Sequence, residues 1–288
     1  MFFSMKLLKK RSKLLNVRTR RLWLLLVPLL AAAPVAGQET RDTLDVFFVG
    51  NSYIYFNNLP GLVEGISEML DGPYIRTASH THGGYRLGEH LTDGHLPGAL
   101  GSDGPTNQPW DFVVLQEQSA LATVTDTVTG ELGSPVEFQR AVRDLASQAR
   151  GLGATPALYM TWAKKRWPDQ LADIATAYRG AGAELDAPVA PVGDAWAAVA
   201  TRRPDLDLFV ADGSHPNPAG SFLAACVMYA TLTGKSPAGA PREVWGQPWN
   251  GAGPMESEIA TLLVSLTQGD AAFLQEVAWA VVNQTDAR

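Results

Sequence analysis

Leu44-Asp45-Val46-Phe47-Phe48-Val49-Gly50-Asn51-Ser52-Tyr53 is the stretch on which the fold turns. Leu44–Val49 is short, apolar and rich in β-branched and aromatic residues, and it does not alternate cleanly. A strand buried on both faces of a parallel sheet reads this way. It runs into a small-residue turn and then a serine, which sets that hydroxyl at the mouth of the sheet.

Runs of the same kind recur at Tyr74–Ser79, Phe112–Gln116, Ala157–Thr161 and Val189–Val192. Between and after them lie longer amphipathic stretches: Leu59–Leu70, Leu87–Leu96, Pro135–Leu152, Pro168–Leu185, Ala195–Thr201 and Pro218–Thr233. Strand–helix–strand order with right-handed crossovers predicts an α/β protein: a three-layer doubly wound (flavodoxin-like) sandwich on a mostly parallel sheet of about five strands. Ligands of such sheets bind beyond the carboxyl ends of the strands. Gly50–Ser52, His80–Gly84, Gln116–Gln118 and Trp162 all follow expected strands, so one rim can gather them. Leu121–Ser134 reads as a surface excursion and Trp245–Gly253 as a second irregular stretch. The tail Glu256–Asn283 is apolar at helical spacing and reads as one or two helices across the sheet edge.

Residues 1–37 read as a secretory signal rather than as part of the fold. Lys6, Lys9, Lys10, Arg11, Lys13, Arg18, Arg20 and Arg21 precede an apolar run of about a dozen residues, Leu22–Ala33, and Val35-Ala36-Gly37 is a small-residue cleavage site. The run is broken by Pro28 and is shorter than the ~20 apolar residues of a spanning helix, although a retained N-terminal anchor is the alternative. The expectation is therefore a secreted or periplasmic protein, with residues 38–288 as one domain and no stable membrane insertion once the signal is cleaved. Arg20-Arg21 also faintly matches a twin-arginine signal. The eight basic residues leave with the leader, so the remainder carries 23 − 8 = 15 basic against 29 acidic residues, or 15 − 29 = −14. A net acidic domain without a basic stripe is a poor fit to nucleic acid. The single cysteine, Cys226, can form no internal disulfide and reads as a buried small hydrophobe.

The second informative stretch is Asp212-Gly213-Ser214-His215-Pro216-Asn217-Pro218. A histidine is the usual acceptor of a serine proton near neutral pH. An aspartate on its other ring nitrogen fixes the tautomer and stabilises the imidazolium. His80, His82, His90 and His95, with Asp93 nearby, raise the question of a metal. No His-Glu-x-x-His or cysteine pair accompanies them, so neither metal nor cofactor is expected. Trp162, Trp167, Trp245 and Trp249 offer aromatic faces suited to sugar rings, although tryptophans more often pack as core or lid.

Gly50-Asn51-Ser52, Gly83-Gly84, Gln116-Glu117-Gln118-Ser119 and Asp212-x-x-His215, in that order and spacing, resemble the blocks of the SGNH (GDSL-like) hydrolase superfamily. The nearest likeness is to a bacterial branch whose first block reads Gly-Asn-Ser-Tyr. The resemblance runs from Leu44 to about Thr233. It implies that Ser52 is the nucleophile, His215 the base and Asp212 its orienting acid. It also implies an oxyanion hole made by the N–H groups of Ser52 and Gly84 and a side-chain amide. Two positions depart from the common pattern: Asn51 stands where the motif has aspartate, and no Gly-x-Asn-Asp is present. The amide then comes from Gln116 or Gln118, with Gln116 slightly favoured by its place at a strand end. Asn51 and Trp162 are candidate substrate contacts. The implied activity is an exported serine esterase acting through an acyl-serine on a small-molecule or glycan ester, with a small acyl group such as acetyl. An acyltransferase using the same Ser-His-Asp site, a non-catalytic glycan-binding domain and a metal-dependent hydrolase using His80 and His82 are the alternatives.

Overall fold

The computed structural model describes residues 42–101, 109–119, 134–249, 255 and 259–286. The expected signal segment, all of the Leu121–Ser134 excursion except Ser134, and part of the Trp245–Gly253 stretch lie outside the described residues.

In chain order, β1 (Thr43–Gly50), one helical turn α1 (Ser52–Tyr55), α2 (Leu59–Glu68), β2 (Tyr74–Thr81), α3 (Leu87–Thr92) and α4 (Leu96–Gly101) form the first part. Next come β3 (Phe112–Leu115), α5 (Pro135–Gly151), β4 (Thr155–Tyr159), α6 (Leu171–Leu185), β5 (Val189–Ala190), α7 (Val192–Arg202) and α8 (Pro218–Thr233). A strand pair, β6 (Glu243–Gly246) and β7 (Thr261–Ser265), precedes α9 (Gln268–Asp286).

β1 to β5 make one parallel sheet in the order β2-β1-β3-β4-β5. This is the doubly wound order, and its switch point is the carboxyl end of β1, where the chain leaves toward β2 on one side and β3 on the other. Successive β1 residues serve opposite faces. Val46 and Phe48 pack with Leu62 of α2, Trp196 of α7, Phe222 of α8 and Leu274 of α9. Phe47 and Val49 pack with Leu87 of α3, Phe138 of α5 and Ile174 of α6. Both faces are therefore dry, which is why the strands read as continuous apolar runs.

α8 is apolar around its whole circumference and lies between the sheet and α9. Asn217 caps it by accepting the Gly220 N–H at 3.0 Å, and Pro218 opens its first turn. Cys226 is fully buried on this helix, and that burial raises its thiol pKa well above the usual range.

Three expectations change at the level of elements. The tail is not helical throughout: Thr261–Ser265 is a strand paired antiparallel with Glu243–Gly246. α9 packs on α7 and α8 rather than across the sheet edge. The Leu87–Leu96 stretch is two helices, broken at Asp93-Gly94-His95.

Candidate active site

The end of β1 admits only glycine. A Cβ on Gly50 would lie 2.4 Å from Gln116 Oε1 and 2.6 Å from Ile54 Cδ1. The close approach lets the Asn51 N–H donate to Gln116 Oε1 at 2.9 Å. Asn51 then caps α1, its Oδ1 accepting the Tyr53 N–H at 3.1 Å, while its Nδ2 donates to the Tyr85 carbonyl at 2.9 Å. Its side chain thus ties the serine turn to the segment after Gly83-Gly84. Asn51 borders the cavity, and through these two bonds its amide also holds the turn in place.

Ser52 is the first residue of α1. Its Oγ lies 2.8 Å from His215 Nε2, and His215 Nδ1 lies 2.6 Å from Asp212 Oδ2. A carboxylate only accepts, so Nδ1 carries the ring proton and Nε2 is the acceptor facing Ser52. The other Asp212 oxygen accepts the N–H groups of Ser214 and His215 at 2.8 and 2.9 Å. Desolvation is the largest single influence on Asp212 and works to raise its pKa. The hydrogen bonds from the His215 ring and the two backbone groups outweigh it, so the carboxyl sits below its ordinary value.

Several residues to which the sequence reading gave no such role surround the histidine loop. The Tyr53 hydroxyl meets Ser214 Oγ at 2.7 Å. Phe56 stacks on the His215 ring at 4.2 Å, and Trp249 packs on Phe56 at 4.8 Å. Asn57 adopts φ 53° and donates from Nδ2 to the Pro216 carbonyl at 3.1 Å and to Ser221 Oγ at 2.8 Å. The pair Asn57-Asn58 ahead of Leu59-Pro60 was the available signal, since asparagine is among the few residues that tolerate the left-handed region.

Trp162 takes a different role from the expected one. It is 1% exposed and lies between Tyr53 at 4.5 Å and Trp196 at 4.0 Å, with near-parallel planes on both sides. Its Nε1 donates to the Ser214 carbonyl at 2.9 Å. With both faces covered it offers nothing to a substrate; it is a platform beneath the histidine loop.

A cavity of about 440 Å³ opens over Ser52, bordered also by Tyr55, Phe56, Gly84, Gln118 and His215. That is a usual size for a small-ligand site. Gly84 sits at φ 74°, which suits glycine alone at little cost. Gln116 does not border the cavity. It is fully buried, its Oε1 holds the Asn51 N–H, and its Nε2 donates to the Glu117 carbonyl. Gln118, the other candidate for the amide, does border the cavity, so the slight preference for Gln116 is not supported by its place.

Between these two glutamines Glu117 is fully buried. Its Oε1 accepts the Leu87 N–H at 3.0 Å and the Gln118 N–H at 2.6 Å, joining the start of α3 to the strand-end loop. Burial is the main cause that pushes its carboxyl pKa up to about 8.

No protein-family model and no curated protein matches this chain. Solved structures do. A protein from Slackia heliotrinireducens described as a candidate SGNH hydrolase is 33% identical, with a TM-score of 0.52 over 66% of this chain and 100% of its own. A DUF4886 family protein from Bacteroides uniformis is 16% identical, with a TM-score of 0.59 over 85% of this chain and 96% of its own. An acetyl-xylooligosaccharide esterase from Geobacillus is 12% identical, with a TM-score of 0.51 over 67% and 95%. The last two likenesses speak to the fold alone.

Proposed function

The chain belongs to the SGNH hydrolase superfamily, and from that premise we propose that it is a serine-dependent carboxylic ester hydrolase with Ser52, His215 and Asp212 as its reacting triad. One observation carries the reading: His215 Nε2 stands 2.8 Å from Ser52 Oγ while its Nδ1 is held by Asp212.

Ser52 Oγ attacks the ester carbonyl carbon and its proton passes to His215 Nε2. The tetrahedral oxyanion is met by the N–H groups of Ser52 and Gly84 and by the Gln118 side-chain amide. Such fixed donors stabilise charge that exists only in the transition state, at roughly 3–4 kcal/mol per donor. Collapse breaks the bond to the alcohol oxygen, which takes the proton from His215 and departs. Water then gives a proton to His215 and attacks the acyl-Ser52 carbonyl; the acyl–Oγ bond breaks, Ser52 Oγ takes the proton back from His215, and the acid is released.

In this reading the protein is exported, the acyl group is small, with acetyl the first to test, and the alcohol is a sugar hydroxyl. The Phe56 ring, whose edge borders the cavity beside His215, supports an alcohol that carries apolar surface, as a sugar does. Among the described residues no helix is long and apolar enough to cross a membrane.

The test is labelling with a fluorophosphonate probe together with turnover of a chromogenic acetyl ester, for wild type beside Ser52→Ala and His215→Ala. Wild type should be labelled at Ser52 and should hydrolyse the ester, and both variants should lose turnover. An unlabelled Ser52 in a wild type that hydrolyses no ester would overturn the proposal.

A further inference from the structure

Behind the catalytic rim, the fold gathers three histidines and an aspartate that the ester chemistry does not use. His80 and His82 leave the end of the edge strand β2 on the same side, as residues two apart on a strand do. α3 covers that side and brings His90, and the turn after it brings Asp93. The candidate ligand atoms of His80, His82 and Asp93 lie within 4.8 Å of one another, and His80 Nε2 is 2.9 Å from Asp93 Oδ2.

His90 adds an independent observation. It is completely buried, and its Nε2 lies 2.9 Å from the Gly50 carbonyl. A carbonyl only accepts, so Nε2 carries the proton and Nδ1 presents a bare lone pair. That Nδ1 is buried without a hydrogen-bond partner. A buried imidazole acceptor left open costs free energy.

The ring spacing fits a shared centre. With a metal–nitrogen bond of about 2.0–2.1 Å, an imidazole centre lies about 3.2 Å from the ion, so two rings on a tetrahedral ion stand about 5.2 Å apart. Here the two ligand rings, His80 and His82, are 4.9 Å apart. One carboxylate with imidazoles and no thiolate suits zinc among the divalent ions common in protein sites.

We propose that His80, His82 and Asp93 form a zinc-class site that braces the strand end carrying Ser52, with the buried His90 ring packed beside it. The link is the Gly50 carbonyl, which accepts from the His90 ring and, at 3.2 Å, from the His82 N–H. Gly50 stands two residues before the nucleophile.

Titration of metal-free full-length protein with ZnCl2, followed by calorimetry and thermal unfolding, tests this. Wild type should take one equivalent and unfold several degrees higher with the ion bound. His82→Ala and Asp93→Asn should lose at least tenfold in affinity and all of the thermal shift. Cobalt added to wild type gives a reading that does not depend on any variant folding, since a tetrahedral nitrogen and oxygen set produces intense visible ligand-field bands. No stoichiometric binding by wild type, equal binding by both variants, or a cobalt spectrum matching the hydrated ion would each overturn the proposal.

Discussion

Asp212 and the two glutamines decide what single side chains contribute to the rim. The Asp212 carboxyl is held below its ordinary value, so it is ionised wherever the enzyme would work, and its partner His215 is kept with the proton on Nδ1. Asp212→Asn can offer an N–H to that nitrogen and so reverse the tautomer. The expected outcome is a loss of about 10⁴ in kcat on an acetyl ester, with KM nearly unchanged. Steady-state kinetics on folded protein checks it; a loss below about tenfold would remove Asp212 from the triad. Gln118 and Gln116 separate along a different axis. Gln118→Ala should lower kcat by about 100-fold with little change in unfolding temperature. Gln116→Ala leaves the buried Asn51 N–H without its acceptor, at about 1–3 kcal/mol, and should appear first as lost stability. Thermal melts beside kinetics on the two variants distinguish these outcomes, and the reverse pattern would return Gln116 to the oxyanion hole.

Elements meet at Glu117, which draws the start of α3 and the loop after β3 onto one carboxyl oxygen. Its pKa is about 8 in the folded protein against 4.5 ordinarily, with burial as the main cause. The folded state therefore holds a proton that the unfolded state gives up above about pH 4.5. The stabilisation is fully present below that pH and is lost as pH rises through about 8. Glu117→Gln keeps an oxygen acceptor without the titration, so its unfolding midpoint should fall less than that of wild type between pH 5 and 8. Urea melts across that range measure the difference, and parallel curves would show that Glu117 does not titrate there. The five strands were legible because burial on both faces leaves a local mark in the residues themselves. The glycine and serine of the first block and Asp212-x-x-His215 were legible because their chemistry depends on short spacing. Three features were not. Thr261-Leu262-Leu263-Val264-Ser265 lies within an apolar tail, where a short run cannot be told from a helix by period, and its partner β6 is remote in sequence. β4 ends at Tyr159, two residues earlier than its composition suggests, so Trp162 turns under the histidine loop instead of out at the rim. The open nitrogen of His90 depends on a hydrogen bond to Gly50, forty residues away, which no local pattern records.

At the scale of the molecule, the His215 loop leads into a helix with no polar face of its own. α8 follows directly from His215-Pro216-Asn217, and Asn217 holds both ends of that junction, capping Gly220 and donating to the Asp207 carbonyl at 2.7 Å. The sheet covers one side of α8. The outer side needs α9, whose Leu274, Val277 and Ala278 are almost wholly buried against the same cluster. Polar contacts seat α9 as well: Gln275 accepts the Gly239 N–H at 3.0 Å and donates to the Ala240 carbonyl at 2.9 Å. Fully burying each such aliphatic side chain is worth about 1.5–3 kcal/mol, so a few of them rival the 5–15 kcal/mol that stabilises an ordinary domain. A chain ending at Leu266 should therefore retain helical far-ultraviolet dichroism but lose its cooperative melt, bind a hydrophobic dye and react with the fluorophosphonate far more slowly at Ser52. The slow reaction is the informative part, because α9 touches none of the triad. Its influence on Ser52 would pass through α7 and α8, on which it packs, and then through the histidine loop. A truncated protein that melts cooperatively at the full-length midpoint and labels at the full-length rate would show that the sheet alone sets the His215 loop, and that α9 is a cover with no bearing on the site.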